Sequence, residues 1–131
     1  MSGEPTLDGY ARRLFGTAAA ANFAVGLSLL FLRKQVGPLL GLDPLTGTNL
    51  VFFYLSGTLI VTFGYAYLRI ALDPRRWRPA IELGAIGKLL AVASAAWPWL
   101  AGEVGGRLPL LASIDLVFAL LFINYLRRTS A

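Results

Sequence analysis

The chain contains no cysteine and no histidine, and only one methionine. Without cysteine there is no disulfide framework and no membrane-embedded dithiol chemistry. Without histidine there is no axial ligand for a b-type haem, and a zinc site would have to be built from carboxylates alone. Acidic residues are also scarce, with seven Asp and Glu against twelve Lys and Arg. These shortages exclude thiol redox, haem and zinc chemistry. They leave no metal-ligand set, no cofactor and no catalytic residue to name.

Apolar side chains are abundant instead. The composition is 56% hydrophobic and the mean hydropathy is +0.65, well beyond the range of a soluble globular chain. A helix needs roughly 20 mainly apolar residues to cross about 30 Å of hydrocarbon, and four stretches qualify: residues 14–32, 50–72, 79–100 and 108–126. Little chain remains between them. The expected fold is therefore all-α, an integral membrane four-helix bundle with short loops, forming a single transmembrane domain over residues 1–131. The first stretch follows Arg12 and Arg13 but is long, has basic residues on both flanks and lacks a cleavage site, so it reads as a retained span. Residues 1–9 read as a poorly ordered lead-in, with the first helix beginning near Tyr10.

The net charge of +5 would raise nucleic-acid binding in a soluble protein. In a membrane protein basic residues gather in cytoplasmic loops, and no nucleic acid is implied. Arg12 and Arg13, then Arg69, Arg75, Arg76 and Arg78, then Arg127 and Arg128 mark one side, whereas Arg33, Lys34 and Arg107 mark the other. This asymmetry predicts cytoplasmic termini, in a bacterial inner membrane.

Several connections carry their own signals. "RKQVGPLLGLDPLTGTNL" is apolar around Leu39, Leu40 and Leu42. It suits either an interfacial or re-entrant segment or a loop packed on the bundle top. "LDP" occurs at residues 42–44 and 72–74, and Asp followed by Pro predicts helix opening at both places. In "DPRRWRPAIE", Arg75, Arg76, Trp77 and Arg78 form a candidate lipid-headgroup patch, since each basic residue near an anionic leaflet contributes about 1 kcal/mol and tryptophan prefers the interface. The favoured reading of the same residues is that they are topology determinants and nothing more. Trp97 and Trp99, flanking Pro98, read as interfacial anchors at a helix end.

Helix association in lipid relies on close packing of small residues. Gly16, Ala20, Ala24 and Ser28 make one such row, and Gly87, Ala91 and Ala95 another. On the third span, Ile81, Gly84, Ala85, Lys88, Ala91, Val92 and Ala95 share a face, which places a lysine near mid-membrane. A lysine facing lipid would cost roughly 2.5–3.5 kcal/mol there. Asp115, on the fourth span, lies at a matching depth. Together with Asn22, Thr58 and Thr62 the two charges define a candidate polar layer, either a register-fixing ion pair with supporting hydrogen bonds or a ligand site. Glu82, near the start of the third span, is expected to cap free amides or to meet Arg12, Arg13 or Arg69.

"FGYAYLRIALDP", "LGAIGKLL" and "SIDLVFALLF" within four short-looped helices resemble the small bacterial four-helix membrane families grouped with DoxX-like proteins. The resemblance implies a fold and no mechanism. Small multidrug resistance transporters also carry four helices but depend on a glutamate in the first, where this chain has Asn22. Sterol isomerases of the emopamil-binding type use acidic residues in a membrane cavity, and Glu82 lies too near the surface to match.

The leading expectation is a non-enzymatic module that binds a lipid or hydrophobic ligand, or an accessory subunit of a membrane complex. Its partners would be membrane lipids and a membrane-protein partner or a second copy of the chain. The alternative is a minimal oligomeric transporter that uses Lys88 and Asp115 as a switchable pair. A lipid-modifying enzyme ranks last, for want of a nucleophile and base.

Overall fold

The computed structural model describes residues 4–130, with side chains from Leu7 onward. Among these residues there are five helices and no strand: α1 (Glu4–Phe31), α2 (Arg33–Leu39), α3 (Thr48–Leu72), α4 (Arg78–Leu100) and α5 (Arg107–Thr129). α1, α3, α4 and α5 contain 28, 25, 23 and 23 residues, enough at 1.5 Å per residue to cross the hydrocarbon. The chain is an all-α integral membrane protein with four helices of spanning length and composition.

Apolar side chains turned outward are the physical counterpart of that assignment. Phe31, Leu90, Leu110 and Leu120 are all exposed on helix surfaces. In water such surfaces would be costly, whereas hydrocarbon solvates them.

α1 begins earlier than expected. Of the anticipated lead-in, residues 1–3 lie outside the described part and the rest is helical. Pro5 falls in the first turn, where the missing N–H breaks no intrahelical bond. The next turns are then tied down: Ala11 is fully buried, and Arg12 donates to the Leu72 carbonyl at 3.4 Å.

The structure comprises two compact units, one ending at Arg78 and the other beginning at Pro79. In the first, α1 runs antiparallel to α3. Arg12 meets Leu72 near one end, Asn22 meets Ile60 in the middle, and Leu30 meets Gly57 toward the other end. Glycine makes this approach possible. A Cβ on Gly26 would lie 2.6 Å from Val61 Cγ2 and 3.0 Å from both the Gly57 carbonyl oxygen and the Val61 nitrogen. A Cβ on Gly57 would lie 3.0 Å from Leu30, and one on Gly64 would lie 3.2 Å from Asn22 Cβ. The seam between α1 and α3 therefore runs through Gly26, Gly57 and Gly64. It does not run through the expected row: Ala20 and Ala24 are exposed, and a Cβ on Gly16 would meet nothing within 4 Å.

The connection from α1 to α3 contains the seven-residue α2. Its last turn closes on Gly41, whose φ of 71° only glycine adopts readily. Gly41 N–H donates to the Pro38 carbonyl and Leu42 N–H to the Gly37 carbonyl, the paired bonds of a Schellman ending. Asp43 and Pro44 lie in irregular chain beyond it, and α3 starts later, with Gly47 at its N-cap. The first "LDP" thus follows a helix and opens none. The second behaves differently: Asp73 caps the C-terminus of α3, and its carboxylate accepts from Arg76 N–H at 3.2 Å in the turn before α4. Its capping chemistry serves that turn, and α4 opens at Arg78.

In the second unit, Ile81, Gly84, Ala85 and Lys88 are the buried residues of α4, and Ala119, Phe122 and Tyr125 those of α5. Both sets follow the three–four spacing of a single helix face. α4 passes through Pro98 and ends at Leu100. Gly102, at φ 76°, donates to the Trp99 carbonyl, while Glu103 donates to the Pro98 carbonyl at 2.8 Å, a second Schellman ending.

Candidate functional site

Lys88 lies ten residues past the start of α4 and twelve before its end, at the centre of the span. Spacing puts it on the same face as Gly84 and Ala85, whose small side chains leave room for its stem. The side chain is 5% exposed, and its Nζ donates to Asp115 Oδ1 at 2.5 Å. The ammonium also stands 5.3 Å from the centroid of the Phe118 ring, within cation–π range. Asp115 and Phe118 are three apart on α5, so one helix face supplies both the counter-charge and the aromatic wall. The carboxylate is 36% exposed. The pair is therefore asymmetric, with a sheltered cation and an anion that keeps an outward side.

Asn22, Thr58 and Thr62 belong to the first unit. Asn22 Nδ2 donates to the Ile60 carbonyl at 3.0 Å, a cross-helix bond between α1 and α3. Thr58 donates to the Leu55 carbonyl and Thr62 to the Thr58 carbonyl, both at 2.8 Å. The threonine hydroxyls are satisfied within their own helix and lie on its exposed side. Glu82 is exposed. Phe118 was not among the candidate site residues, although its position three residues after Asp115 was the available signal.

A second cluster of chemistry lies where the start of α1 meets the end of α3. Arg69 stacks its guanidinium over the Trp77 ring at 5.1 Å, and Arg75 pairs with Asp8 at 3.5 Å. Arg12, Arg75 and Arg76 are exposed, and Trp77 is half-buried. The turn fixed by Asp73 holds Arg75, Arg76 and Trp77 together, and Arg78 follows as the first residue of α4. Sequence reasoning named these last four residues and missed Asp8. The Asp8–Arg12 spacing of four was the helical signal that would have placed Asp8 beside this rim.

No group of three or more His, Cys, Asp or Glu that could hold a metal ion occurs among the described residues. Comparison with protein-family models, with curated proteins and with solved structures finds no match.

Proposed function

We propose that this protein is a small membrane module that binds anionic lipid headgroups at its arginine rim, by itself or as an accessory subunit of a larger membrane complex. The observation behind the proposal is the stacking of Arg69 on Trp77 beside exposed Arg75 and Arg76, at the end of two membrane-length helices. Arginine forms bidentate bonds with phosphate, and an interfacial tryptophan holds the rim at headgroup depth. In this reading the rim faces the cytoplasmic leaflet of a bacterial inner membrane, where anionic lipid and basic loops coincide, and both termini lie on that side. The DoxX-like resemblance belongs to the same proposal.

The test is native mass spectrometry of the protein in nanodiscs containing phosphatidylglycerol and phosphatidylcholine. The wild type retains phosphatidylglycerol preferentially, and the R75Q/R76Q variant loses that preference. Equal retention by the two proteins overturns the reading.

A second reading rests on the asymmetric Lys88–Asp115 pair at mid-span. An ionisable pair within the membrane is a default candidate for a transport pathway. In that case purified protein in liposomes shows solute or proton flux that K88M and D115N abolish while the helical signature is kept.

A further inference from the structure

The connection between α1 and α3 borders an open pocket at the end of the first unit opposite the arginine rim. It has a volume of about 360 Å³ and is lined by Arg33, Lys34, Gly37, Pro38, Leu42, Asp43, Pro44 and Leu45. That is the lower part of the range for sites that hold small ligands. The Schellman ending at Gly41 folds the irregular segment back beside α2, which brings Asp43 into the same wall system as Arg33 and Lys34. The pocket thus carries two cations and one anion.

These opposite charges line one pocket without neutralising one another. No ion pair joins Asp43 to Arg33 or Lys34 among the described residues. Arg33 is held elsewhere: its guanidinium lies 5.8 Å from the centroid of the Tyr54 ring on α3. This cation–π contact holds the guanidinium near Tyr54 without using its N–H groups in an ion pair with Asp43, and those groups can donate to an oxyanion. Asp43 and Lys34 are exposed. A ligand that is negative at one end and positive at the other satisfies both walls, whereas a simple anion meets the Asp43 carboxylate unfavourably.

Position selects the ligand class. The pocket lies just beyond the end of one span at Phe31 and before the start of the next at Thr48. This is headgroup depth. Phe31, Leu39 and Phe52 stand 78%, 72% and 62% exposed on the surrounding elements. They offer an acyl-chain surface next to the charged walls.

The geometry points to a site for a zwitterionic phospholipid whose headgroup carries a phosphate and a primary ammonium. Arg33 and Lys34 take the phosphate and Asp43 accepts from the ammonium N–H groups, while the acyl chains lie along Phe31, Leu39 and Phe52. A quaternary ammonium has no N–H to give Asp43, and a glycerol headgroup has no positive charge. The site is therefore selective among phospholipids. It is distinct from the rim in residues and in lipid class.

The test is a native mass spectrometry titration of delipidated full-length protein with phosphatidylethanolamine, phosphatidylcholine and phosphatidylglycerol of matched chains. The wild type retains phosphatidylethanolamine about tenfold over phosphatidylcholine, equivalent to ~1.4 kcal/mol. D43N abolishes this selectivity, R33Q/K34Q loses phosphatidylethanolamine itself, and both keep the wild-type circular dichroism spectrum. R75Q/R76Q keeps the phosphatidylethanolamine preference, so failure of the rim and failure of this site are read separately. Absence of selectivity in the wild type, or its persistence in D43N, overturns the proposal. So does binding of soluble glycerophosphoethanolamine as tight as that of the lipid, since the acyl chains would then contribute nothing.

Discussion

Lys88 and Asp115 meet at 2.5 Å with unequal burial, the lysine side chain 5% exposed and the aspartate 36% exposed. Pairing is what makes both charges tolerable at this depth. An ammonium sealed near the middle of α4 has no route to water, and its ring contact with Phe118 replaces only part of its solvation. The exposed part of the carboxylate faces hydrocarbon at this depth, so it too depends on its partner.

Substitution should expose this dependence. Asp115→Ala removes the counter-charge of a buried cation, a change that costs about 3–5 kcal/mol in buried pairs. Lys88→Met leaves the carboxylate without its counter-charge at mid-span, beside hydrocarbon, and is destabilising as well. The double variant K88M/D115L recovers most of the stability lost in D115A. Thermal unfolding in mild detergent reads all three. Wild-type stability in either single variant would mean that the pair carries no energetic weight.

The crossing of α1 and α3 makes a sharper steric prediction. Gly26→Ala drives a Cβ against the Gly57 carbonyl and the Val61 nitrogen, both 3.0 Å away, and against Val61 Cγ2 at 2.6 Å. Backbone atoms cannot turn aside as a side-chain terminus can, so the two helices must separate, at a cost of roughly 1–3 kcal/mol. Gly16→Ala meets nothing within 4 Å and gains up to about 1 kcal/mol of helix propensity. The pair of variants, compared by thermal melts, should move in opposite directions. V61A added to G26A rescues only the side-chain part of the clash.

Asn22 ties the same two helices through a polar contact, donating to the Ile60 carbonyl at 3.0 Å. Interhelical hydrogen bonds in membranes are worth about 0.6 kcal/mol on average and up to about 1.7. Asn22→Leu should therefore lower stability by no more than the upper figure. It should also speed amide exchange in α3 around Ile60 and Gly64, measured by hydrogen–deuterium exchange. Uniform exchange along α3 in both proteins would remove Asn22 from the seam.

What could be read from sequence follows from the physics of each feature. Span length and apolarity are properties of one helix, so residues 50–72, 79–100 and 108–126 anticipate α3, α4 and α5 closely. The face containing Ile81, Gly84, Ala85 and Lys88 was legible for the same reason, since periodicity belongs to a single element. Choosing among competing glycines was harder. Gly16 and Gly26 both sit in α1, and only the partner helix decides which of them forms the crossing. The start of α1 was misread because polar letters near Asp8 suggest a tail, while the contacts that hold them, Arg75 to Asp8 and Arg12 to Leu72, come from residues sixty or more positions away. Asp43 next to Pro44 was read as an opening signal. The Schellman ending at Gly41 governs that stretch instead.

Gly102 and Gly105 offer a test of backbone conformation within one loop. Gly102 has φ 76° and closes α4 through its own bond to the Trp99 carbonyl and that of Glu103 to the Pro98 carbonyl, whereas Gly105 is not among the positive-φ glycines. Neither would bring a Cβ within 4 Å of another group, so sterics with neighbours are equal and conformation alone separates them. An alanine in the left-handed region costs roughly 1–2 kcal/mol. At an ordinary φ, glycine to alanine is neutral or slightly stabilising, because the unfolded chain loses freedom. Gly102→Ala should therefore lower the melting temperature and fray the last turn of α4 around Trp97 and Trp99, shifting their fluorescence to the red as the rings gain contact with water. Gly105→Ala should leave both readouts at the wild-type values. If the two variants behave alike, the end of α4 is not held by the glycine turn, and Pro98 alone must account for where the helix stops.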